Sequence, residues 1–155
     1  MPDDISLKID TSQFDAMLTA LPTKVAGRIM KDALQAGGDV LLASMKALCP
    51  ERTDEPTPDE DSLPPGILRE DLHTQVTVTS TTGARLRVGP TDIAAHVARW
   101  QENGWMLTLH NGKKVRQIPG KHFMAASVDE AGEAAVDAFV ARLAEGLNGT
   151  ADSEG

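Results

Sequence analysis

The side chains able to do chemistry are few in this chain and far apart. Its four histidines are His73, His96, His110 and His122. None stands at a metal-ligand spacing from another His, a Cys or an Asp, so no metal site is expected from them. Cys49 is the one cysteine, which excludes a disulfide within the chain. It sits between Leu48 and Pro50 at the end of an apolar helical pattern, with no cation beside it in sequence. That is the setting of a buried structural thiol, not of an activated nucleophile. Ser44, Ser62 and Ser80 lack the context of a nucleophile elbow. No glycine-rich phosphate loop follows a strand pattern. Asp54, Glu55, Asp59, Glu60 and Asp61 crowd one segment, yet without the spacing or the glycine of a calcium loop. The expectation is a protein that is not an enzyme, with no catalytic residue, no cofactor and no metal.

What remains is charge. Lys113, Lys114, Arg116 and Lys121 flank an Asn111-Gly112 turn signal and should project from a hairpin tip. Three readings stay open for them: a solvated basic tip, a contact with acid on a neighbouring subunit, or a contact with DNA. Either contact would weaken with salt. The net charge of −8 is unevenly spread. Residues 1–66 carry 12 acids and 6 bases, residues 67–121 carry 4 acids and 8 bases, and residues 122–155 carry 7 acids and 1 base. The sum speaks against a broad basic face that grips DNA. The blocks allow a positive middle on one subunit to meet an acidic segment on the next. With no Tyr, three Phe and two Trp, a base-stacking or sugar-binding platform is also disfavoured.

The elements that must carry these groups follow from periodicity. At 155 residues the chain suits one domain, here 1–147. Ile5, Leu7 and Ile9 alternate as a short strand. Thr11 or Ser12 can cap a short helix holding Phe14, Met17, Leu18 and Leu21. Pro22 suits the first turn of a long helix running to Leu48, with Val25, Ile29, Ala33, Ala36, Val40, Ser44 and Leu48 as its stripe. Gly37-Gly38 inside it marks a close approach or a bend, and Pro50 stops it. Residues 51–66 hold six acids and four prolines and are expected to form a mobile loop.

Leu72, Thr74, Val76 and Val78 alternate, as do Ala84, Leu86 and Val88, which predicts an antiparallel hairpin. Asp92 to Gln101 has helical spacing, with Ile93, Val97 and Trp100 on one face and Gly104 as the stop. Residues 105–118 predict a second hairpin, an arm. A last helix should run from His122 to Leu147, with Met124, Val128, Ala131, Ala135, Phe139, Leu143 and Leu147 in its stripe and an acidic outer face. Residues 148–155 are expected to be a disordered tail. The fold class is α+β: a small, mostly antiparallel sheet with a long N-terminal and a long C-terminal helix packed on it, and an open sheet edge. No stretch approaches the roughly 20 apolar residues of a membrane span. The acidic start, MPDDISLKID, does not read as a secretory signal.

A set of short segments then falls into a recognisable order. A helix ends at Ala47-Leu48-Cys49-Pro50, and a polar loop leads to Gly66-Ile67-Leu68-Arg69. A strand pair ends at Val88-Gly89-Pro90 and is followed by Val97-Ala98-Arg99-Trp100-Gln101-Glu102-Asn103-Gly104. After a hairpin, Lys121-His122-Phe123-Met124-Ala125-Ala126 opens the last helix. Across residues 22–147 this resembles the head–tail joining proteins (neck, tail-completion and minor tail proteins) of long-tailed, siphovirus-type phages and prophages. Ala98, Trp100, Glu102 and Gly104 match that family's aromatic–acid–glycine segment, with Val97 where it has Tyr and Asn103 where it has a second aromatic. Phe123, Met124 and Ala126 match its Pro-Phe-Leu-x-Pro-Ala segment, with His122 in place of the first Pro. Acidic, proline-rich residues are inserted between Pro50 and Gly66.

The resemblance implies a structural virion protein of the neck, forming a homo-oligomeric ring through which DNA passes. Its partners would be copies of itself, portal or head-completion proteins, and tail-tube or tail-terminator proteins. It would not bind DNA specifically or meet a membrane, and it would be assembled in the bacterial host cytoplasm. Ring closure needs two different complementary patches per subunit, which the charge blocks can supply. The expected interface residues are Glu55, Asp59, Glu60 and Asp61 in the acidic loop and Lys113, Lys114, Arg116 and Lys121 on the arm. Arg99, Trp100 and Glu102 are expected to act as a packing and orienting cluster. The alternative is a cytosolic protein-binding or regulatory module that docks a basic partner through the acidic loop.

Overall fold

A computed structural model describes residues 10, 12–51, 64–79, 83–91 and 93–152. Among these described residues, five helices and four strands follow one another: α1 (Ser12–Ala20), α2 (Thr23–Leu48), α3 (Ile67–Asp71), β1 (Leu72–Thr79), β2 (Gly83–Pro90), α4 (Ala95–Asn103), β3 (Gly104–Thr108), β4 (Lys114–Pro119) and α5 (Phe123–Asp152). The fold class is α+β, with the two long helices packed on the sheet. The expected strand at Ile5–Ile9 and the acidic stretch 52–63 lie outside the described residues.

The frame is the pair α2 and α5, lying antiparallel. Ile29 near the start of α2 abuts Gly146 near the end of α5, and Gly37 abuts Ala135 and Phe139. Small residues set the spacing of the two helices. A Cβ on Gly37 would lie 2.9 Å from the Ala135 carbonyl oxygen, and one on Gly146 would lie 2.7 Å from Ile29 Cγ2. The Gly37-Gly38 pair therefore marks a close approach, within a helix that runs unbroken from Thr23 to Leu48. The two glycines serve different neighbours, because Gly38 faces Leu86 and Thr74 of the strands.

Packing α2 on two sides rotates its buried face away from the spacing-based stripe. Ile29 and Ala33 are buried as expected, but the rest of the face is Leu34, Gly37, Gly38, Leu41 and Met45. Leu48 stays exposed. A stripe stepped by four residues from Ala36 drifts off a helix of 3.6 residues per turn. In α5 the buried residues Ala131, Ala135, Phe139, Leu143 and Leu147 keep the expected stripe, while Phe123 and Ser127 replace Met124 and Val128 at its start. The helix continues through Asp152, so residues 148–152 are helical where a disordered tail was expected. Thr150 donates its hydroxyl to the Leu147 carbonyl at 2.7 Å in this last stretch.

The strands form two antiparallel ribbons, β1–β2 packed on the long helices and β3–β4 as the second hairpin. In the first, Thr74, Val76 and Val78 face Val88, Leu86 and Ala84 across the register. Val76, Ala84 and Leu86 pack on Ile29, Leu34 and Phe139. The alternate residues, including Arg85 and Arg87, are exposed. A lone two-stranded ribbon is marginal in water, and the long helices supply the apolar floor this one needs. Gln35 of α2 reinforces the contact by donating to Thr74 Oγ1 at 2.6 Å.

A second apolar cluster fills the other end of the helix pair. Met45, Cys49, Leu68, Leu72, Ala94, Ala98 and Phe123 are buried together there. Asp71 organises the loop above it. Its carboxylate accepts from the Thr91 hydroxyl and from the Ala94 backbone N–H, the latter at 3.1 Å. This holds the chain in a turn through Ala94, so α4 starts at Ala95, three residues later than the spacing suggests. Its buried residue is Ala98, while Trp100 and Ile93, placed on the apolar face by periodicity, are 48% and 61% exposed. At the N-terminus, α1 is preceded by Asp10, which accepts from the Ser12 N–H at 2.9 Å, and that bond holds its carboxyl below the usual range.

Candidate interaction arm and its anchoring node

The junction of α4, the second ribbon and α5 is built from backbone constraints. Gly104 ends α4 at φ 81°, a left-handed conformation that other residues rarely adopt, and opens β3. A side chain there would collide with the Ile118 carbonyl, and one on Gly120 would collide with the Glu102 carbonyl. These two glycines let the root of the ribbon lie directly against the end of α4. Lys121 N–H donates to the Gln101 carbonyl at 2.6 Å, and His122 N–H donates to the Glu102 carbonyl at 3.3 Å. His122 is the one non-glycine residue with positive φ among those described, at 50°. It turns the chain into α5.

Glu102 completes the node. Its Oε2 accepts from Met124 N–H at 2.8 Å and its Oε1 from Ala125 N–H at 3.1 Å. Both donors are among the first-turn amides that a helix cannot satisfy internally, and a carboxylate there also meets the positive end of the helix dipole. The half-buried Glu102 thus sets the direction of α5 from the last turn of α4. Trp100, two residues earlier in α4, lies edge-on to His96 with ring centroids 5.3 Å apart and tilted against Trp105 at 6.3 Å. Arg99 is exposed and makes no ion pair among the described residues.

From this node the β3–β4 ribbon extends as an arm. Gly104 pairs with Pro119, Trp105 with Ile118, Met106 with Gln117 and Leu107 with Arg116, and a bulge follows before Thr108 pairs with Lys114. The tip is a three-residue connection in place of a two-residue Asn-Gly turn. Gly112 N–H donates to the Leu109 carbonyl at 2.8 Å, and Leu109 N–H to the Lys113 carbonyl at 2.9 Å. Only Gly112 takes positive φ, which is the glycine-bulge form of a longer hairpin loop. Asn111 instead accepts from the Lys113 N–H through its side chain at 3.0 Å.

Only the root of the arm is covered. Trp105 and Ile118 are half-buried, and every residue from Met106 to Gln117 is exposed. Lys113, Lys114 and Arg116 are exposed on it, and Lys121 is exposed at its base. Met106, Leu107, Leu109 and Val115 are exposed as well. These apolar residues were visible in the sequence as strand formers, but strand periodicity does not tell which residues end up unpacked. No protein-family model, curated protein or solved structure matches the chain. The structure brings Trp100 and Glu102 together with the root of the arm and places Lys113, Lys114 and Arg116 near its tip. Glu55, Asp59, Glu60 and Asp61 lie outside the described residues.

The ends of the acidic segment do have a described contact. Glu51 pairs with Arg69 of α3 at 3.3 Å, between two partly exposed side chains. Below that pair Cys49 is buried, and its thiol is pushed up by burial, with Arg69 acting in the opposite direction. A thiol held protonated is a poor nucleophile. Among the described residues no three His, Cys, Asp or Glu side chains converge as a metal site, and no helix is long and apolar enough to cross a membrane.

Proposed function

We propose that this chain is a structural subunit of a phage neck, a head–tail joining protein that assembles with copies of itself as a ring between the portal side and the tail. The observation that supports this reading is the exposed arm, basic and apolar at once, rooted on the segments Trp100–Gly104 and Lys121–Ala126 whose residues carry the resemblance. A ring subunit needs a projecting contact element held at a fixed angle to a rigid body. Glu102 and the two glycines at the root supply the angle, and the α2–α5 pair supplies the body. A net charge of −8 also suits a channel wall past which DNA must slide without sticking.

The test is genetic. A phage or prophage that encodes this chain is deleted for it, and its particles are viewed by electron microscopy. DNA-filled heads and free tails that join when the purified protein is added back are expected. Normally tailed, infectious particles from the deletion would overturn the reading.

A further inference from the structure

The arm concentrates the positive charge of the molecule. Between Gly104 and Lys121 there are four cations and no carboxylate, while the rest of the chain holds 23 acids against 11 bases. The arm also carries four large apolar side chains in water. Scattered exposed apolar residues are ordinary, but here they sit on a single ribbon with no described residue packed over it beyond its root. The register places Lys114 opposite Thr108 and Arg116 opposite Leu107, so cations and apolar groups share the ribbon.

A complementary surface exists on the same molecule. Asp129, Glu133 and Asp137 follow one another at helical spacing on the outer side of α5, and all are exposed, as are Glu130 and Ala134. Arg142 is the single base in residues 122–155, and it is paired with Glu145 at 2.9 Å. Among the described residues no cation pairs with Asp129, Glu133 or Asp137, and none of the arm cations pairs with a carboxylate. The dimensions agree: Lys113 to Arg116 spans roughly 10 Å of strand, and Asp129 to Asp137 spans roughly 12 Å of helix.

We infer that the arm docks on the acidic outer face of α5 of a second copy of this chain. The inference rests on the self-assembling neck reading and names the two surfaces that meet. Bodies that are acidic apart from the arm repel one another, so the arm supplies the attractive orientation. Arm and acidic face are different parts of one surface, so the contact is head-to-tail, and its repetition closes a ring or runs on as a filament.

The test is solution mass by light scattering on the full chain at low and high salt, with paired charge reversals. K114E/R116E and E133K/D137K are each expected to weaken self-association by roughly tenfold or more at low salt. The variant carrying all four changes is expected to regain it, because the complementarity is then swapped and not removed. All four side chains are exposed, so far-UV circular dichroism and the urea midpoint should stay close to the parent values and separate lost docking from lost folding. Three results would overturn the inference: a parent chain that stays monomeric at every salt and concentration, self-association unaffected by E133K/D137K, or a four-fold variant that does not recover. Loss of duplex-DNA binding by K114E/R116E with self-association intact would likewise overturn it and assign the arm to nucleic acid. Normal tailed particles from the gene deletion beside a positive charge swap would remove the neck reading and leave the docking contact standing.

Discussion

Glu102 links two elements that are remote in sequence, since its carboxylate binds amides 22 and 23 positions further on. Replacing a capping side chain with Ala typically costs about 0.5–2 kcal/mol, and an ionised acceptor belongs in the upper part of that range. E102A is therefore expected to lower stability by about 1–2 kcal/mol, with E102Q losing less, as read from urea midpoints. An unchanged midpoint for E102A would show that the cap contributes nothing. The sequence picked out Glu102 by the spacing Trp100-x-Glu102-x-Gly104, but not its partners. Backbone N–H groups leave no mark on residue identity, and the positive φ of His122, which aims those amides, falls on a residue type that does not announce it.

Cys49 makes a second residue-scale expectation. Its buried thiol has a raised pKa, so the unfolded chain releases that proton at lower pH than the folded one does. Stability from this group is complete below the ordinary thiol range of about 8.5. It falls as pH rises from there through the folded-state value. C49S is expected to flatten that alkaline decline in a series of urea melts. A thiol-specific reagent should label the parent chain slowly until it is unfolded, and prompt labelling of the folded chain would contradict the burial.

At the scale of elements, the two central glycines of α2 give opposite expectations. Gly to Ala inside a helix gains up to about 1 kcal/mol from propensity. At Gly37 the new methyl would press on the Ala135 carbonyl, which is backbone of a packed helix and cannot step aside. G37A is expected to destabilise, since overpacking costs about 1–3 kcal/mol. At Gly38 the nearest atom is Leu86 Cδ1, the far end of a side chain that can rotate, with Thr74 Cγ2 farther off at 3.1 Å. G38A is expected to fall within about 1 kcal/mol of the parent. Equal effects in thermal melts would mean that the α2–α5 spacing is not set at Gly37. Strand alternation from Leu72 to Val78 made β1 legible, and Asn111-Gly112 located the arm. The buried face of α2 was not legible past Ala33, because a helix packed on two sides buries a band wider than one stripe. The face of α4 was hidden for another reason: small alanines occupy its buried side and a tryptophan its exposed one.

For the whole molecule, the division is between a packed body and an arm that adds nothing to its core. No residue from Met106 to Gln117 is buried. Replacing 106–117 with a short Gly-Ser turn is expected to change the urea midpoint by less than about 1 kcal/mol while abolishing salt-sensitive self-association. Unfolding of the trimmed chain would show that the ribbon supports the body after all. Charge composition made the existence of a basic middle and an acidic C-terminal block legible in advance. What it could not tell is that the basic block stands clear of the body, because projection depends on two glycines at the root making room for backbone.

The anchoring node has a mechanical consequence. Both strands of the arm enter the body side by side, at Gly104 and Pro119. The returning strand is tied at once to the last turn of α4 by the amides of Lys121 and His122, and α4 is tied to α5 by the Glu102 carboxylate. A pull on the arm is therefore shared among several bonds loaded together, not passed from one to the next as in a peeling zipper. It reaches the first turn of a 30-residue helix, whose amides hold the Glu102 carboxylate. A body built this way resists tugging at its arm as one piece, and its first point of yield is the bare tip beyond Leu107, where the bulge interrupts the ladder.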